Sequence, residues 1–505
     1  MSFAERLSAE PRRRRIRPLL AALGGLGLAA CAVGPNFKTP APPSVGGYTA
    51  EPLTTTATTP GVASGEAQGF ASGADIAGDW WTLFHSQPLN DLVTQALSAN
   101  HDLKAAQAAL AAAHETTLAQ RGAYYPQVAA GYSATRQLQS GALAPTPADN
   151  ASQFDLFTPQ VSVSYAPDVF GLTRRTVESA KAQEQSIRFQ MIAAHLTLTS
   201  NVVVAAIQDA ALQTQIDATR QLIDIETKSV EILKYQAAKG YASRIDVAAQ
   251  EAQLALVAAT LPPLLKQAAQ QHDLLANLTG RFPSEASIAK IDLASLQLPT
   301  ELPVSLPSKL VEQRPDVRQA EANLHAASAQ IGVAEANRFP NIQLTGVAGN
   351  TAIALSQGFT PGTNFWALGA AATAPIFEGG TLMHLERAAK ANYQLATEQY
   401  RSTVLGAFQN VADSLSAIQQ DAEALKAAAA AADAAKVTLD LTQRQLQDGY
   451  ASGLALLNAQ QAYQQARITL VQAQAARFAD TAALFQSLGG GWWRRPDLAK
   501  DTDAN

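Results

Sequence analysis

GYAS stands at residues 240–243, in AAKGYASRIDVAAQ, and again at 449–452, in LQDGYASGLALLNAQ. Each copy interrupts a long, alanine-rich, charge-dotted stretch of helical character, and 209 residues separate them. A four-letter match is weak by itself, so the surroundings decide. Asp102-Leu103 is followed 24 residues later by Pro126 in AYYPQV, and Asp316-Val317 is followed 24 residues later by Pro340 in NRFPNI. Pro167 in YAPDVFG lies 73 residues before Gly240, and Pro375 in TAPIFEGG lies 74 before Gly449. Landmarks in one order at nearly one spacing mark a tandem duplication. The first repeat is set at 91–300 and the second at 301–491, with 492–505 as a C-terminal tail.

Each repeat opens with a helix and holds two alternating stretches. In PQVAAGYSATR (126–136), Val128, Ala130, Tyr132 and Ala134 share one parity, while Gln127, Ser133 and Thr135 take the other. In FTPQVSVSYAP, with its strand placed at 157–166, Phe157, Val161, Val163 and Tyr165 alternate with Thr158, Gln160, Ser162 and Ser164. Period two over about ten residues is the pattern of a membrane-spanning β-strand, apolar outside and polar inside. The second repeat echoes it less cleanly at 340–349 and 364–375. The alternative is an ordinary sheet with one face on a soluble core, but these strands are isolated between very long helices. Four strands cannot close a barrel, and an open edge cannot lie in lipid. If they span a membrane, several chains share one barrel, and three chains supply twelve strands.

The helical stretches run from about Leu172 to Lys239 and from about Ile376 to Asp448. A helix of that length extends roughly 100 Å. Such helices project as coiled-coil-like hairpins with tips near 240 and 449. A filamentous coiled coil is the plain alternative, but it has no need of strands.

The N-terminus reads PRRRRIRPLLAALGGLGLAAC, a basic run followed by 13 apolar or small residues (18–30). The stretch is too short to span a bilayer and reads as a signal segment, 1–30. Leu28-Ala29-Ala30-Cys31 resembles a bacterial lipobox, in which the cysteine is acylated and becomes the first residue; an ordinary signal with a bystander cysteine is the alternative. Ala32 leaves outer-membrane delivery open. Residues 31–90 are then a lipidated N-terminal linker, its Pro-, Gly- and Thr-rich part at 40–78 reading as extended. Cys31 is the single cysteine, which excludes an intramolecular disulfide and a cysteine-paired metal site. The net charge of −5 argues against a nucleic-acid partner.

The chain resembles the TolC-type outer-membrane efflux proteins, in their lipoprotein branch named after NodT and OprM. The resemblance rests on CAVGPNFKTP (31–40), DWWTLFHSQPLNDLVTQALSANHDL (79–103), RPDVRQAEANLHAASAQIGVAEANRFPNIQLTG (314–346), PIFEGG (375–380) and LGGGWW (488–493). It covers nearly all of the chain after Cys31. It implies a mixed α and β membrane protein: a homotrimer whose twelve-stranded barrel, four strands per chain, continues into a periplasmic α-helical barrel. It also implies a gated passive conduit for small molecules, with a periplasmic adaptor protein and an inner-membrane transporter, of the resistance–nodulation–division type, as partners. An outer-membrane duct for type I protein secretion is the alternative, ahead of a periplasmic adaptor or structural coiled coil.

By the same resemblance the tips close the tunnel, with Gly240 and Gly449 as turn residues. Asp246 matches a position that holds the tip closed, and Arg244 stands near enough to pair with it. Leu454 matches an apolar constriction. Asn458 and Ala455 stand where relatives carry Asp, which weakens the acidic ring. Enzyme signatures are lacking. His114-Glu115-Thr116-Thr117 begins like a zinc-protease helix, but Leu118 replaces the second His. No cofactor is expected beyond the lipid on Cys31. Trp80-Trp81 and Trp492-Trp493 are expected to anchor the terminal segments against the helices.

Overall fold

Residues 32–51, 53–138 and 153–499 are described by the computed structural model. The signal segment, Cys31, the loop joining the first two long strands, and the end of the tail lie outside the described residues. In chain order the elements are β1 (Gly69–Ser72), α1 (Gln87–Ala99), α2 (His101–Arg121), β2 (Gln127–Leu138), β3 (Gln153–Tyr165), α3 (Leu172–Ala238) and α4 (Arg244–Leu278). There follow β4 (Glu301–Val304), α5 (Pro307–Gln313), α6 (Pro315–Ala336), β5 (Asn341–Asn350), β6 (Asn364–Thr373), α7 (Thr381–Gln447), α8 (Gly453–Ser487) and α9 (Pro496–Ala499).

The duplication is exact in length where it matters. Helices α3 and α7 each have 67 residues, and α4 and α8 each have 35. Every position in the first hairpin therefore has its counterpart 209 residues later. Helix α7 starts at Thr381 rather than near Ile376, because Gly379 and Gly380 hold φ of +59° and +89° and turn the chain before it.

The chain forms two compact units. One gathers the described residues of Met1–Thr39 with Ala112–Gln185 and Ala322–Glu398. It holds an antiparallel sheet in the order β2-β3-β5-β6. The register puts Val128 opposite Val163, Ala130 opposite Val161 and Tyr132 opposite Pro159. It continues with Val161 opposite Ala348 and Tyr165 opposite Leu344, then Leu344 opposite Ala370 and Ala348 opposite Trp366. One face of all four strands is thus mainly apolar, with Trp366 72% and Leu368 79% exposed on it and the Arg136–Asp155 pair at the far end of β2. The other face carries Gln127, Ser133, Thr135, Thr158, Gln160, Ser162, Ser164 and Thr345, with alanines, glycines and four larger apolar residues (Phe154, Leu156, Val347 and Phe365) among them. Large exposed apolar side chains on one sheet face, with hydroxyls and amides on the other, are the arrangement of a membrane-spanning strand. The less regular pattern of the second repeat falls into the same two faces.

The residues just after Cys31 are pinned in this unit. Arg175, 3% exposed on α3, donates to the carbonyls of Val33 and Gly34 at 3.1 Å each and to Asn36 Oδ1 at 2.9 Å. It also meets Glu178 at 2.7 Å, and Glu178 in turn meets His325 at 2.9 Å, whose ring stacks on Phe37 at 4.4 Å. The GPNF of the N-terminal motif is a docking segment for this side-chain cluster.

The other unit gathers Pro40–Ala111, Ser186–Glu321 and the described residues of Gln399–Asn505. Its aromatic core joins Trp80 to Phe485, stacked at 5.2 Å, and Phe84 to Phe478 at 5.9 Å. Trp492 Nε1 donates to the Gln313 carbonyl at 2.6 Å and Trp493 Nε1 to Asp75 at 2.9 Å. Both tryptophan pairs therefore tie terminal segments to helices, as their amphipathic rings permit. Arg314 of the RPDV motif bonds Asp316 and the carbonyl of Ser487.

The described residues of 40–78, read from sequence as an extended linker, are held against the rest of the unit. Strand β1 pairs in parallel with β4, Gly69 opposite Glu301. Arg477 on α8, 1% exposed, binds the carbonyls of Ser64 and Glu66 and the Gln68 side chain. Gln68 also donates to Thr481 at 3.2 Å. A strap outside any helix thus has its backbone groups met by β4, by Gln68 and by one buried guanidinium.

Candidate functional site

The two GYAS turns explain themselves residue by residue. At the first, Tyr241 N donates to Gln236 O at 2.9 Å and Gly240 N to Ala237 O at 3.0 Å. At the second, Tyr450 N donates to Gln445 O at 2.7 Å and Gly449 N to Leu446 O at 3.2 Å. This is the pairing of a Schellman ending, which needs a left-handed residue after the helix. Gly240 has φ of +79° and Gly449 +81°, and nothing crowds either Cβ position, so conformation alone demands glycine. The serine then caps the next helix. Ser243 Oγ accepts from Asp246 N at 3.1 Å, and Ser452 Oγ from Ala455 N at 3.2 Å. GYAS is a helix stop, two linking residues and a helix start, and each tip uses it whole.

The tips differ at the third helical position. Asp246 completes a capping box, its Oδ2 accepting from Ser243 N at 3.1 Å and Ser243 Oγ at 2.7 Å. Those bonds, the hydroxyl's first and then the amide's, hold its carboxyl below the usual aspartate range. Among the described contacts the partner of Asp246 is Ser243, not Arg244, so the ion pair weighed from sequence gives way to a cap. Ala455 at the matching position leaves the second tip with half a box.

Tyr241, Asp246 and Gln250 from the first hairpin and Gly449, Ser452 and Gln460 from the second line one cleft of about 730 Å³. Leu454 and Asn458, four residues apart on α8, are both exposed. Ile245 is the counterpart of Leu454 and is likewise exposed, at 79% against 65%. The sequence reading missed Ile245, although the 209-residue offset points straight to it. It missed Ser243 and Ser452 as well, which capping-box spacing would have found. Away from the tips, His114 Nδ1 lies 2.8 Å from Glu184. Among the described residues no group of three or more His, Cys, Asp or Glu side chains is placed to hold a metal.

Comparison with known proteins decides the family. The profile described as "Outer membrane efflux protein" matches residues 92–281 and 306–490, one match for each repeat. The chain belongs to the outer membrane efflux protein family. The pyoverdine export outer membrane protein OpmQ of Pseudomonas aeruginosa is 30% identical over 84% of this chain and 90% of its own length. Nodulation protein T of Rhizobium leguminosarum bv. viciae is 29% identical over 86% of this chain and 90% of its own. The structure of the outer-membrane channel OprN superposes with a TM-score of 0.80 at 26% identity, covering 92% of this chain and all of that one. The protein is an outer-membrane component of efflux systems, a channel of mixed strand and long-helix fold. The resemblance to the NodT- and OprM-like efflux proteins noted in the sequence holds.

Proposed function

We propose that three copies of this chain close a twelve-stranded barrel and that their paired hairpin tips gate the conduit from the periplasmic side. The single observation that carries this is the sheet. It has one lipid-suited face and two unpaired edges, β2 and β6, and hydrocarbon tolerates neither an exposed edge nor a partial barrel. Joining β6 of one copy to β2 of the next removes every edge. The channel has no energy source of its own. A periplasmic adaptor and an inner-membrane transporter of the resistance–nodulation–division type deliver small molecules to it, drugs or toxic compounds. The cysteine at 31 carries the lipid, and the Arg175 cluster holds the residues that follow it.

Leu454 is the residue assigned to the constriction. Three Leu454 side chains, one from each copy, make an apolar ring that water and ions enter reluctantly. Leu454→Ala is expected to raise the single-channel conductance of the purified protein in planar bilayers severalfold. Asp246→Ala should act in the same direction, because it removes half of the first tip's capping box. Lys390→Ala, remote from the tips in sequence and paired with Glu386, should not. Asn458→Asp restores an acid to the ring and should increase block by divalent cations in the same recording. Unchanged conductance in correctly folded Leu454→Ala and Asp246→Ala channels would remove the gate from these residues.

A further inference from the structure

Glu226 lies on α3, 14 residues before Gly240, and is fully buried. Its Oε2 accepts from Gln250 Nε2 on α4, and its Oε1 is buried without a partner. On α8, Gln460 is 1% exposed with both amide atoms unpartnered. Gln250 and Gln460 line the cleft between the tips, and Gln461 Nε2 reaches Gln253 Oε1 at 2.6 Å beside it. Buried polar groups left short of hydrogen bonds are destabilising, and each asks for a reason.

The duplication shows that packing is not the reason. The counterparts of Glu226 and Gln250, 209 residues on, are Ala435 and Ala459. A hairpin of identical length closes with two alanines where this one buries a carboxyl and an amide. We propose that Glu226 and Gln250 form a proton-operated latch on the first hairpin. Protonated, the carboxyl lets α3 close on α4; ionised, it draws water from the cleft and loosens the pair below the tip.

Burial pushes the Glu226 carboxyl up to about 7, opposed only by the Gln250 hydrogen bond. No charge faces it. Its neighbours one turn away on α3 are Leu222, Ile223, Ser229 and Val230, while Asp224 and Lys228 point to solvent. From α4, Glu251 is held by Lys234 at 2.7 Å and Asp246 by Ser243. From α7 and α8 the cleft presents Gln443 and Gln460, and Arg467 lies over the Tyr463 ring.

The latched state holds the proton more tightly than the loosened one, where the carboxyl returns toward its ordinary value of 4.5. Latching is therefore complete on the acid side of that value. It weakens as pH rises toward about 7, by at most about tenfold per pH unit for one proton, and is flat above.

The latch rests on reading the tips as the gate, but the test reads loosening directly. Amide hydrogen exchange of the purified full chain in detergent is measured between pH 5 and 8 over residues 222–254. It is normalised to 431–463, the counterpart segment with the alanine pair, which cancels the intrinsic pH dependence. The ratio should climb by up to about tenfold per unit and level off above about pH 7. It should be flat in E226Q, and flat in E226A/Q250A, which copies the second repeat and covers any folding defect of E226Q. A flat wild-type ratio, or an equal climb in the variants, overturns the latch. Bilayer conductance that ignores pH while the ratio climbs would instead count against the tips as the gate.

Discussion

Val161→Arg is expected to keep the protein out of the outer membrane, whereas Ser162→Arg, the next residue, is expected to insert. Val161 sits on β3, paired on both sides, opposite Ala130 and Ala348 on the apolar face. An Arg on the lipid face near the midplane costs about 2–4 kcal/mol, and a trimer would carry it three times over. Ser162 faces the other way, opposite Ala129 and Val347. There an Arg stands in the aqueous lumen. The readout is the share of each variant retained in urea-washed outer membranes. Equal retention would refute the assignment of the two faces, and the reverse order would mean that they are exchanged.

Arg477→Met is the second large effect. The substitution keeps the apolar stem and removes a guanidinium bonded to Ser64 O, Glu66 O, Gln68 Oε1 and, at 3.4 Å, Thr56 Oγ1. Hydrogen bonds to a charged donor contribute about 1.5–3 kcal/mol each, so release of the strap by about 3 kcal/mol is a conservative expectation. Proteolysis within residues 54–68 should accelerate by about a hundredfold if cleavage follows strap opening, while the sheet stays protected. Arg477→Lys should recover only part of the protection, because a compact ammonium with three donors does not reproduce the planar fork that meets these four acceptors. Unchanged cleavage in Arg477→Met would show that the strap is held elsewhere.

These two sites differ in how plainly the sequence declares them. The strand faces follow from period two, because alternation in Val128 to Ala134 is a local property of the chain. The tips follow from the duplication, and the glycine of each turn from helix-ending chemistry. The strap was not legible. Its acceptors meet Arg477 across 409 to 421 residues, and β1 and β4 are four residues each, too short for any periodicity. Arg477 itself reads as one more surface arginine on a helix. Glu226 was hidden for a related reason, since a glutamate in a polar helical stretch looks solvated until neighbouring helices bury it. For Asp246 the sequence left a pair with Arg244 open beside a solvated side chain. Charge proximity suggests Arg244, whereas the capping position favours the serine three residues back, and that is its partner.

The shared barrel is the centre of the account, and native mass measurement of the detergent-extracted protein tests it most directly. The expected species is a trimer, each copy beginning at Cys31 and carrying the added mass of its acyl chains. A copy mass without the lipid would remove the anchor but leave the barrel. A folded monomer that keeps its full strand content would contradict the shared barrel outright.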